Sequence, residues 1–97
     1  MAIQVLLADD HAVVRDGLRF LIEVQGDISV VGNAANGREA VRKVKELKPD
    51  VVIMDIAMPE LNGIEATHQI HETCPATRVL ILSTYATTKC AGLTSLD

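Results

Sequence analysis

Ile3-Gln4-Val5-Leu6-Leu7-Ala8-Asp9-Asp10 and Asp50-Val51-Val52-Ile53-Met54-Asp55 are built alike: a short aliphatic run that stops at carboxylates. Runs this short, rich in Val, Ile and Leu and separated by helical periodicity, read as parallel strands buried on both faces. Ligands of such sheets sit beyond the carboxyl ends of the strands. The two runs therefore aim Asp9, Asp10 and Asp55 at one cleft.

Crowding like charges is costly. Two of them about 4 Å apart repel by roughly 4 kcal/mol at an effective dielectric of about 20, and a third adds to this. A hard divalent cation such as Mg²⁺ compensates, since it takes oxygen ligands, keeps several waters and recruits phosphate oxygens. Asp9 and Asp10 also suit the start of a helix, where Asp caps the first turn and meets the positive end of the dipole. Both readings stand for the pair, and Asp55 at the matching end of another strand favours the cation.

Outward from these strands the chain alternates. Ala12 to Gln25 places Val14, Leu18, Leu21 and Ile22 at helical spacing and ends at Gly26-Asp27; Ile28 to Ala34 is a second strand. Asn36 with Glu39 has the form of a capping box, and Ala40, Val41, Val44 and Leu47 form a helical stripe that Pro49 stops. Arg42, Lys43, Lys45 and Lys48 read as a solvated face near a helix C-terminus. Met58 to Gly63 is a loop, Ile64 to Thr73 a weaker helix ended by Pro75, and Arg78 to Ser83 a fourth apolar strand. This βαβαβαβ order predicts an α/β fold with a parallel sheet and right-handed crossovers. From residue 86 to 97 no apolar stripe is visible, and the segment reads as irregular with at most a short helical turn.

Composition narrows the function. Ninety-seven residues suffice for a single small domain, and 48% hydrophobic residues with one Tyr, one Phe and no Trp give an aliphatic core. Nine basic against thirteen acidic residues, a formal charge of −4, leave no basic stripe for nucleic acid. Cys74 and Cys90 are too few and too isolated for a disulfide scaffold or a thiolate metal site. A reducing compartment fits. With neither a signal-like N-terminus nor a membrane-length apolar stretch, the expected location is the cytoplasm.

A carboxylate facing a bound cation is suited to accept a phosphoryl group, a transfer that needs in-line positioning and charge neutralisation. Asp55 is the expected acceptor. Asp9 and Asp10 are expected to hold the metal, the Ala57 carbonyl to add an oxygen, and Ser83, at the end of the next strand, to bond a phosphoryl oxygen. A phosphatase reading is disfavoured because Ala57 stands where aspartate-nucleophile phosphatases commonly carry a second Asp. A dinucleotide site is disfavoured because Asp9-Asp10-His11 replaces a Gly-rich turn. A metal site of His11, His68 and His71 is disfavoured because His68 and His71, one helical turn apart, read as an exposed face.

Leu7-Ala8-Asp9-Asp10-His11, Met54-Asp55-Ile56-Ala57-Met58-Pro59 with Asn62-Gly63-Ile64-Glu65, and Val79-Leu80-Ile81-Leu82-Ser83-Thr84 resemble the receiver domain of bacterial two-component response regulators. The wording is most similar to the NarL/FixJ group, which joins a receiver to a LuxR-type helix-turn-helix output domain. The resemblance covers residues 1–85. It implies a flavodoxin-like doubly wound sheet of strand order 2-1-3-4-5. It further implies phosphorylation of Asp55 by a histidine kinase, with Mg²⁺ held by Asp10, Asp55 and the Ala57 carbonyl and supported by Asp9. Ser83 falls at the family's switch hydroxyl and Tyr85 at its aromatic or variable neighbour.

The family continues through a fourth helix, a fifth strand ending in a Lys that pairs with the phosphoryl group, and a fifth helix. Lys89 comes too soon after the fourth strand to be that Lys and reads as a surface residue. The expectation is a sheet that stops after its fourth strand, in the order 2-1-3-4, with 86–97 as a non-family tail. An exposed apolar fourth strand would recruit a second copy of the chain, giving a homo-oligomer. The rival reading keeps the fold without the switch, as a non-phosphorylated interaction module or a nonfunctional fragment.

Overall fold

The computed structural model describes residues 2–55 and 62–82, together with the backbone of 93–95. In chain order its elements are β1 (Ile3–Ala8), α1 (Ala12–Glu23), β2 (Ile28–Ala34), α2 (Gly37–Leu47), β3 (Val51–Asp55), α3 (Gly63–Thr73), β4 (Arg78–Leu82) and β5 (Leu93–Ser95). The first four strands are parallel and lie in the spatial order 2-1-3-4, as the alternating pattern predicts. Parallel register sets the ends together: Ala8 pairs with Met54, so the residues following them in both strands emerge side by side.

Helix α2 begins at a capping box. The Asn36 side chain accepts the Glu39 N–H at 2.8 Å, while Glu39 reaches back to the Ala35 N–H at 2.7 Å. Lys48 ends the helix in the left-handed conformation, φ 48°, just before Pro49. The same device starts α3, where Asn62 accepts the Glu65 N–H at 2.9 Å. The sequence reading treats Asn62 as loop and misses this second cap, although its Asn-x-x-Glu spacing repeats that of Asn36.

Alternation along the strands splits the core. Leu6, Ala8, Val52, Met54, Val79 and Ile81 face α2 and α3, where Ala40, Val41, Val44, Ala66 and Ile70 complete the larger cluster. Val5, Leu7 and Val30 form the smaller one on the other side, under Leu18 and Ile22 of α1. No residue of α1 is fully buried, and Leu21, assigned to the apolar stripe by its spacing, is 61% exposed. It lies beside Phe20 and Val24, also exposed, on the edge of the helix away from the sheet.

The tail differs from its expected irregular course. Leu93–Ser95 forms a fifth strand antiparallel to β4, with Leu80 opposite Ser95, Ile81 opposite Thr94 and Leu82 opposite Leu93. A parallel return needs a crossover of about a dozen residues or more, and the ten residues 83–92 between the strands are too few. The expected bare edge of β4 is therefore paired within the chain over Leu80–Leu82, which corrects the premise that an exposed fourth strand drives self-association. A three-residue strand carries too little alternation to be visible in sequence.

Candidate functional site

Asp9 follows the last residue of β1, and Asp55 is the last residue of β3. Both are buried, at 2% and 1% exposure, while Asp10 is exposed. Together with His11 they offer ligand atoms all within 4.8 Å of one another. The three carboxylates predicted from strand ends thus converge. Ala57, Ser83, Tyr85, Lys89 and Cys90 lie outside the described residues, as does most of the loop from Met58 to Gly63.

Capping does not explain the pair of aspartates. His11 occupies the N-cap position of α1 without a side-chain cap bond, and Asp9 Oδ1 accepts its backbone N–H at 2.8 Å. Asp9 is fixed further by its own backbone, whose N–H donates to the Ala34 carbonyl at 2.9 Å and whose carbonyl accepts from the Arg15 guanidinium. Asp9 Oδ2 is buried with no hydrogen-bond partner among the described residues. A buried carboxylate oxygen left in that state is costly unless a cation or donor reaches it.

His11, which the sequence groups only with His68 and His71, enters the carboxylate cluster instead. Its Nδ1 stands 2.9 Å from Asp9 Oδ1, 3.1 Å from Asp10 Oδ1 and 3.9 Å from Asp55 Oδ2. The hydrogen bond with Asp9, then the charges of Asp10 and Asp9, raise the imidazole pKa above its ordinary 6.5. What could have marked it in the sequence is its place directly after two strand-end aspartates. His68 and His71, by contrast, lie exposed on α3 and outside this cluster.

Buried carboxylates with a focused negative field suit a small hard cation and a phosphoryl oxygen bound to it. The chain's relatives carry the same arrangement of elements. A family model described as the response regulator receiver domain matches residues 5–93. The chain belongs to the response regulator receiver domain family. This receiver is 48% identical over 83 residues to the uncharacterized transcriptional regulatory protein YhcZ of Bacillus subtilis, covering 86% of this chain and 39% of that protein. It is 46% identical over 85 residues to the response regulator protein VraR of Staphylococcus aureus, covering 88% of this chain and 41% of VraR.

Among solved structures, the response regulator domain of Thermotoga maritima CheB superposes with a TM-score of 0.84 at 47% identity, over 94% of this chain and 67% of that one. The receiver domain of the putative response regulator NarL from Mycobacterium tuberculosis does so at 0.81 and 32%, over 84% and 66%. The chain spans about two fifths of the length of the curated relatives it matches. Receivers of two-component systems are signalling modules whose partners are sensor histidine kinases, and they bind a cation at an acidic pocket. No helix among the described residues is long and apolar enough to cross a membrane.

Proposed function

We propose that this receiver works in the cytoplasm, where it accepts a phosphoryl group on Asp55 from a sensor histidine kinase and passes the change to a transcriptional output domain. The observation that carries this reading is the convergence of Asp9, Asp10 and Asp55 from two adjacent strand ends, with a buried oxygen of Asp9 lacking any described donor. That donor set fits Mg²⁺, and Asp9, Asp10, Asp55 and the Ala57 carbonyl would hold it. The ion, when bound, would neutralise charge on the transferring phosphoryl group. An Asp55 oxygen attacks phosphorus as the P–N bond to the kinase imidazole breaks, leaving an aspartyl phosphate and neutral histidine. Burial of Asp55 at the strand end holds the attacking oxygen in one orientation and limits access of water.

Ser83 follows the end of β4 by one residue and is assigned the switch hydroxyl that bonds the phosphoryl oxygen. Phosphorylation would draw Ser83 toward the site and change the surface from the fourth strand onward, a switch that needs a two-state element and a ligand preferring one state. The chain serves as acceptor in signalling rather than as an enzyme with its own substrate turnover. Phosphorylation with acetyl phosphate and Mg²⁺, read by intact mass, tests the assignment. Wild type gains one phosphoryl group; Asp55→Asn gains none and Asp55 is recovered as the modified residue in peptide mapping. Labelling that survives in Asp55→Asn, or that proceeds equally in chelator, overturns it. A module kept for interaction alone gives no phosphate dependence and has no use for two buried carboxylates at adjacent strand ends.

A further inference from the structure

The cation site contains a nitrogen that carboxylate chemistry does not require. Nδ1 of His11 lies 2.9 Å from an oxygen of Asp9, 3.1 Å from one of Asp10 and 3.9 Å from one of Asp55. Ligands bonded at about 2.1 Å to an octahedral ion stand about 3.0 Å apart at adjacent vertices and about 4.2 Å apart at opposite ones. The separation from Asp10 matches adjacent vertices and that from Asp55 approaches an opposite pair, while the 2.9 Å contact with Asp9 Oδ1 is a hydrogen bond. The nitrogen thus stands at a ligand-like distance from Asp10 and Asp55, and all four residues offer ligand atoms within 4.8 Å of one another.

We propose that His11 is a nitrogen ligand of this site, so that the receiver binds borderline first-row cations such as Co²⁺, Ni²⁺ and Zn²⁺ through one imidazole and three carboxylates. The inference rests on the reading of the acidic cluster as a cation site. Two observations support it besides the spacing. Asp9 Oδ2 is buried and lacks a hydrogen-bond partner among the described residues, whereas Asp9 Oδ1 is engaged by the His11 backbone N–H. One carboxylate oxygen thus holds the start of α1 while the other is left for the ion. The His11 side chain is 59% exposed and makes no cap bond to the helix, so its ring can turn about χ1 and χ2 without disturbing the core.

The donor set then decides which ions gain. Carboxylates and carbonyls suit Mg²⁺ and Mn²⁺, imidazole suits Zn²⁺, Ni²⁺ and Cu²⁺, and affinity for divalent ions rises along the Irving–Williams order. An all-oxygen site already follows that order, so a preference for Co²⁺ over Mg²⁺ alone does not reveal the nitrogen. The difference between the protein with and without His11 does. Mg²⁺, indifferent to the imidazole, serves as the internal control.

The test is calorimetric titration of Mg²⁺ and Co²⁺ into the full chain and into His11→Ala, both in a His68→Gln/His71→Gln background that removes the exposed histidines of α3. His11→Ala is expected to weaken Co²⁺ binding at least about tenfold, the loss that even an outer-sphere partner's removal causes, and to leave Mg²⁺ within about twofold. NMR of the Co²⁺ complex is expected to show paramagnetically shifted imidazole protons that vanish in His11→Ala. Unchanged Co²⁺ affinity, or imidazole signals that persist, overturns the ligand role while retained Mg²⁺ binding keeps the cation site. Tighter binding of both ions by His11→Ala also overturns it, because His11 would then be a competing cation. A chain that binds neither ion removes the cation-site reading together with this one.

Discussion

Asp9 has one carboxylate oxygen that stitches β1 to α1 and another that is buried without a partner among the described residues. Its cost is electrostatic: Asp10 and Asp55 offer like-charged oxygens within 4.8 Å, and His11 offsets part of the repulsion. Asp9→Asn keeps an acceptor for the His11 N–H and removes one charge. At a pH high enough to leave His11 neutral it is therefore expected to stabilise the chelated protein, because it relieves repulsion from Asp10 and Asp55. In Mg²⁺ the order reverses, since the variant loses a ligand. Urea unfolding of both proteins in chelator and in Mg²⁺ checks this, and a variant less stable in both conditions would show that Asp9 is structural alone. The aspartates were legible because they end aliphatic runs whose parallel pairing forces them together. His11 was not, because a lone imidazole beside two carboxylates carries no period and its ring position depends on χ angles that sequence does not set.

At the level of elements, what could be read was whatever local chemistry determines. Asn36 and Glu39 announce α2 through the hydrogen bonds they make within four residues, and the helix forms where they place it. Asn36→Ala removes the acceptor for the Glu39 N–H and is expected to cost about 1 kcal/mol in thermal or urea unfolding, with little change in metal affinity because α2 supplies no residue to the site. A loss below a few tenths of a kcal/mol would mean that water replaces the cap. The strand β5 was illegible for the opposite reason: its three residues are selected by open backbone groups on β4, a partner far away in the fold's topology. Leu21 failed in a third way. Its spacing satisfies the helical stripe, but a single helix over a twisted sheet touches it along a narrow line that reaches Leu18 and Ile22.

The molecule as a whole is lopsided. Among the described residues, twelve buried ones make the cluster that α2 and α3 form with the sheet, whereas three make the one beneath α1. Among the described residues burial is therefore concentrated on one side of the sheet, and the acidic cluster stands at the strand ends common to both. Ile70, fully buried in the larger cluster, tests how the two are linked. Ile70→Ala is expected to cost about 2–5 kcal/mol from lost burial and the cavity left behind, a large share of the roughly 5–15 kcal/mol that holds a small domain together. An ion that binds the native state alone contributes RT ln(1 + [L]/Kd), about 2.7 kcal/mol at a hundred times Kd. Mg²⁺ at that excess should consequently restore much of the lost stability of Ile70→Ala although the substitution and the ion share no contact. The same addition should do much less in Ile70→Ala/Asp9→Asn, where the ligand is missing. Circular dichroism during urea unfolding, with and without Mg²⁺, reads both differences. Equal rescue of the single and double variants would mean that the ion acts by general screening, since a site assembled by the paired ends of β1 and β3 must lose its hold when one of its carboxylates is replaced.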